Sequence, residues 1–156
     1  MANLTVTLTE SVTLNGSVRG STNQLTITGI EQVMERIITI PGSADTTVLL
    51  TKQTVADSDS AIDIQDTKYI RITNLDSTNS VNLSIKIDAG EDNSAADETV
   101  TILLEAGKTF MMGTPHDAIG VIDSSENITA THDLESIMVD SGSTSGIQLE
   151  VFVAGA

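Results

Sequence analysis

Two histidines, each followed by an aspartate, are the residues in this 156-residue sequence best equipped for chemistry: His116-Asp117 and His132-Asp133. An imidazole beside a carboxylate can act as a general base or hold a transition metal. The separation of 16 positions fits no compact ligand motif on one helix or hairpin, so both pairs read as ordinary members of an acidic chain. The one nucleophile-like string is Gly142-Ser143-Thr144-Ser145-Gly146. It has the glycines of a nucleophile elbow, but Thr144 stands where the serine belongs, and no strand-to-helix context surrounds it, so it reads as a turn. Hard oxygen ligands alternate at Asp57, Asp59 and Asp63, the candidate calcium positions, and again at Asp88, Glu91 and Asp92. Neither run is an EF-hand. Ile62 occupies the place of the required glycine, and Lys68, the twelfth residue, repels a cation, so solvated loops are the competing reading. No catalytic residue, metal or cofactor is expected.

Composition points the same way. There is no cysteine, hence no disulfide, thiolate ligand or cysteine nucleophile. Acids outnumber bases 22 to 7, and a net charge of −15 repels nucleic acid and anionic membrane surfaces alike. No 18-residue apolar run spans a bilayer, and the opening Met1 to Glu10 alternates instead of forming a signal peptide. The charge is uneven: Glu10, Glu31 and Glu35 against Arg19 and Arg36 leave −1 over residues 1–40, and −14 falls on the remainder. Such asymmetry allows a near-neutral N-terminal portion that packs against something. Four Asn-x-Ser/Thr strings, at Asn3, Asn15, Asn82 and Asn127, are what a Thr- and Ser-rich chain produces by chance. Sugar sites stack rings on aromatic side chains, and this chain offers Tyr69 alone for that, with Phe110 and Phe152 its other aromatics.

The elements that carry these residues have a period of two. Leu4-Thr5-Val6-Thr7-Leu8-Thr9 puts three aliphatic residues on one face and three threonines on the other. The pattern recurs at 25–28, 69–73, 81–87, 100–104 and 147–153, with further candidates at 12–14, 36–40, 48–52, 108–112 and 134–139. Turn residues separate them: Asn15-Gly16, Arg19-Gly20-Ser21, Pro41-Gly42-Ser43, Asn74 to Ser77, Ala106-Gly107 and Ser141-Gly142-Ser143. Ile30, Val33, Met34 and Ile37 keep helical spacing, but the β-branched run Ile37 to Ile40 follows at once, so a bulged strand is favoured over a helical turn. Polar residues on the second face of each run favour antiparallel over parallel sheets. The expectation is one all-β domain over 1–156, an antiparallel β-sandwich, jelly-roll-like, with residues 1–10 as a possible docking strand.

Several segments resemble small structural proteins of tailed bacteriophages, marine ones especially: Leu8 to Gly16, Arg19 to Thr28, Arg36 to Pro41, Lys68 to Asp76, Leu104 to Phe110 and Val151 to Ala156. They are framework strands and turns without an active-site signature. The resemblance implies a virion component at the capsid surface, a decoration (cement) protein binding the major capsid protein and its own copies, with a trimer as the expected oligomer. A tail or appendage component, or a carbohydrate- or receptor-binding module, is the alternative. Leu4, Val6 and Leu8 are the candidate interface, since a terminal strand can add to a neighbour's sheet edge. In the competing reading they belong to the domain's own sheet.

Overall fold

A computed structural model of the chain describes residues 1–51, 62–88, 98–120, 131–142 and 144–156, and all of its regular structure there is β-strand. Four strands lead: β1 (Ala2–Thr9), β2 (Val12–Leu14), β3 (Ser17–Arg19) and β4 (Thr22–Ile30). The body follows, as β5 (Gln32–Ile40), β6 (Thr46–Leu50), β7 (Thr67–Asn74), β8 (Val81–Asp88), β9 (Glu98–Leu104), β10 (Thr109–Met112), β11 (Ile119–Gly120), β12 (Thr131–Asp140) and β13 (Ile147–Gly155). One sheet has the order β10-β7-β13-β5; the other runs β12-β8-β9, with β6 and the short β11 sharing the far edge of β12. Every pairing is antiparallel, and the pairs nest from outside in: β5 with β13, β6 with β12, β7 with β10, β8 with β9. The body is thus one long antiparallel ribbon wound into two packed sheets, an antiparallel β-sandwich.

The core lies between the sheets and is aliphatic, as the scarcity of aromatics requires. Ile70 and Ile72 of β7 and Leu149 and Val151 of β13 meet Leu83 of β8 and Ile137 and Val139 of β12, all almost without exposure. Strict alternation puts them there: in β8, Val81, Leu83, Ile85 and Ile87 point inward, while Asn82, Ser84 and Lys86 do not. Strand β12 changes phase. A bulge between Leu134 and Ser136 lets both Leu134 and Ile137 face the core despite their odd spacing. Thr51 serves this bulge, its N–H donating to Glu135 O at 2.9 Å and its hydroxyl lying against the carbonyls of Leu134 and Glu135. The buried Asn74 closes the end of β7, its Nδ2 reaching the carbonyls of Asn79 at 2.9 Å and of Leu104 and Glu105 at 3.3 Å.

Two local expectations are settled by backbone geometry. Residues 30–37 are strand but for Glu31, where β4 passes into β5: Gly29 takes a positive φ of 78°, the register shifts between Ala2 and Asn3 opposite it, and the helical spacing is coincidental. Arg19-Gly20-Ser21 is not a turn. It stays within the ladder, with Glu10 N donating to Ser21 O at 2.9 Å, because Gly20 lies where a Cβ would come within 2.1 Å of Glu10 O.

Candidate functional site

Residues 2–30 form a two-stranded arm. One register runs from Asn3↔Thr28 through Thr9↔Thr22 and Val12↔Arg19 to Leu14↔Ser17, so β1 with β2 and β3 with β4 are the two legs of a single hairpin. Asn15 and Gly16 close it with φ of 50° and 78°, the pair of positive values that matches the right-handed twist of the flanking strands. At about 3.3 Å per residue, twelve residues per leg make it ~40 Å long.

Unbroken alternation gives the arm two unlike faces. Leu4, Val6, Leu8, Val12 and Leu14 share one face with Leu25 and Ile27 from the return leg, and towards the tip Glu10, Arg19 and small polar residues lie among them; threonines dominate the other. The base of the apolar face is covered. Leu4, Val6 and Ile27 pack against Ile30, Tyr69, Phe152 and Ala154, on the outer surface of the β10-β7-β13-β5 sheet. Tyr69 and Phe152 meet edge to face at 6.1 Å, and Arg71 stacks 5.8 Å from the Phe152 ring while pairing with Glu150. The arm crosses this sheet towards β10, where Leu25 and Ile27 line a groove of about 310 Å³ with Met111 and Met112. Beyond that edge the same face is uncovered: Leu8 is 46% exposed, Val12 57%, Leu14 56% and Leu25 57%. Scattered exposed aliphatics are ordinary, but a row of them on one face of a projecting element, here broken along its own leg only by Glu10, marks an interaction surface.

The arm is also electrically distinct. Glu10 and Arg19 are the only charged side chains in residues 1–30, so this segment is neutral and the net charge of −15 falls on the rest of the chain.

The predicted residues are placed as follows. Leu4 and Val6 sit in the chain's own second cluster, and Leu8 lies just past it on the exposed continuation of the same face. Asp57, Asp59, Glu91, Asp92 and Ser143 lie outside the described residues. Asp63 is used locally, Oδ1 accepting from Gln65 N at 2.9 Å and its carbonyl accepting from Thr67. Asp76 likewise holds a turn. Its Oδ1 accepts the N–H of Asn79 and of Thr78, both at 2.7 Å, and these bonds hold its carboxyl below the usual aspartate range.

The structure brings the adjacent His116 and Asp117 onto the distant Asp133, a union of the two His-Asp pairs that the sequence spacing did not suggest. His116 Nδ1 lies 2.7 Å from Asp133 Oδ1, which also accepts Asp117 N at 2.7 Å, and Asp117 Oδ2 is 3.3 Å from His116 Nε2. Among the described residues this is the one group of three metal-ligating side chains whose ligand atoms lie within 4.8 Å of one another. With Nδ1 turned to Asp133, Nε2 and the Asp117 carboxylate remain for an ion. Two outward donors fall short of the three or four protein ligands of a zinc site. The nearby bonds from Leu134 N to Pro115 O and from Ala118 N to His132 O, both at 3.2 Å, show what the cluster does: it clips the loop after β10 onto β12.

No protein-family model matches the chain, and neither a curated protein nor a solved structure matches it.

Proposed function

We propose that this protein is a non-enzymatic structural component of a tailed-phage virion, a capsid decoration protein whose projecting arm docks onto the particle. One observation carries the reading: the apolar face that seats the arm on its own sheet continues past the sheet with nothing over it among the described residues. Such a face acquires its stability when a partner supplies the missing surface, at roughly 25 cal/mol per Å² of apolar area removed from water. The nested pairing of the body fits a jelly-roll-like arrangement, in which no long unpaired strand is left between the sheets. A thick acidic body keeps decorated particles apart in solution by charge repulsion. The major capsid protein is the proposed partner and the capsid surface the proposed location.

Quantitative mass spectrometry of purified particles tests the reading. The chain is expected in a simple ratio to the major capsid protein, and particles re-bound with a chain lacking residues 2–30 are expected to carry none of it. A few copies per particle would relocate the protein to the tail, and its absence from particles would overturn the virion reading.

A further inference from the structure

We propose that the arm's distal apolar face docks on a second copy of this chain, over the outer face of β5. This rests on the reading of the arm as a docking element and names what it meets. The uncovered residues Leu8, Val12, Leu14 and Leu25 continue a face whose base already sits on the outer surface of a sheet, so the surface they match is another sheet face with aliphatic side chains between polar ones. The body offers one. Val33 and Ile37, both 59% exposed, point outward from β5 on either side of Glu35, on that same outer surface but at the edge opposite β10. A chain's own arm cannot serve it. The arm leaves across β13, β7 and β10, which carries its tip away from β5, so the two complementary patches lie at opposite edges of one molecule.

Charge selects the same pairing. Bodies that hold the full −15 repel one another, whereas the arm is neutral: its one cation, Arg19, faces Val12 across the ladder, and its one anion, Glu10, lies on the same side two positions before Val12, further from the tip. At β5, Glu35 joins Asp63 and Asp66 around a groove of about 360 Å³, with no cation among the described residues that line it. Arg19, opposite Val12 and near Leu14, therefore matches Glu35 between Val33 and Ile37: apolar contacts lie beside an ion pair, and docking through the neutral arm is the route by which copies meet without stacking like charges. Two different patches make a head-to-tail contact, which closes into a ring or runs on as a chain of copies.

Sedimentation velocity of the full chain over a micromolar concentration series tests this, with a tip variant, Leu14→Asp, and a β5 variant, Ile37→Asp. Both positions are exposed, so both variants keep the wild-type melting transition. The wild type is expected to be oligomeric and each variant at least tenfold weaker in self-association. The decisive measurement is their mixture. A tip-defective copy and a β5-defective copy still hold one good tip and one good β5 between them, so the mixture forms dimers and nothing larger. Arg19→Glu is expected to weaken association and Glu35→Arg added to it to restore it. A wild type that stays monomeric, or a mixture that stays monomeric, overturns the inference. If that monomer still loses particle binding when residues 2–30 are removed, the docking reading survives without it; arm-dependent oligomers of a chain never found in particles would be the reverse result.

Discussion

In β8, Leu83 and Ile85 alternate with Ser84 and Lys86, and the aliphatic pair is buried; in β1, Val6 and Leu8 alternate with Thr7 and Thr9, and Leu8 is half exposed. The two regions use one pattern and reach opposite ends. The body strands each lay their aliphatic face on an opposing sheet, while the arm meets such a surface only along its first half. Alternation fixes which side chains share a face, and whether that face is buried depends on a second surface, which another molecule can supply where the chain itself does not.

Substitutions of equal size in the two regions sharpen the contrast most. Leu149→Ala, at a position without exposure, is expected to cost about 2–5 kcal/mol in urea denaturation, whereas Leu14→Ala in the arm changes the isolated chain by less than about 0.5 kcal/mol. Comparable losses would show that the arm is packed in solution as firmly as the core. The body's polar interior comes next. Asn74→Ala removes the Nδ2 donor shared by the carbonyls of Asn79, Leu104 and Glu105 and is expected to lower stability by about 1–3 kcal/mol, read from the same denaturation curves.

A third change separates the regions outright. Gly20→Ala drives a methyl group into the backbone of Glu10, so it is expected to open the arm, seen as faster proteolysis and amide exchange around residues 10–21, while the body's unfolding midpoint stays put. Loss of the body's cooperative transition in that variant would mean that arm and body fold as one unit. The smallest effect is acid sensitivity at the 76–79 turn. Backbone bonds from Asn79 and Thr78 depress the Asp76 carboxyl, so their stabilisation is complete above the ordinary aspartate range and is lost as pH falls through it and below. Amide protection of Thr78 and Asn79 should fall with acid in the wild type and be flat with pH in Asp76→Asn.

Much of this was legible in the alternation itself. Leu4 to Thr9, Val81 to Ile87 and Ile147 to Val153 announce their strands because aliphatic and polar residues trade places without a break. Strand β3 gave little sign, since Val18 is the one aliphatic residue between Ser17 and Arg19, and the Arg-Gly-Ser composition that follows is that of a turn although Gly20 serves a ladder. The union of His116 with Asp133 depends on the loop after β10 meeting β12, a long-range pairing that leaves no local pattern. The arm's projection was hidden for the same reason: its alternation is that of the body, and the near-neutrality of the N-terminal portion is the one sign in the sequence that sets it apart.

The nesting of β5 with β13 has a consequence for time. Ile40 faces Ile147, more than a hundred positions away, so the sheet that seats the arm cannot close until the far end of the sequence has been made, and so distant a closure is slow to nucleate. The arm needs only its own neighbours and an Asn-Gly turn, and a hairpin of that kind forms in about 1–10 μs. A newborn chain therefore carries its sticky arm well before it has a finished body, and the surplus of carboxylates, all of it beyond residue 30, comes to hold unfinished chains apart only as the body is made.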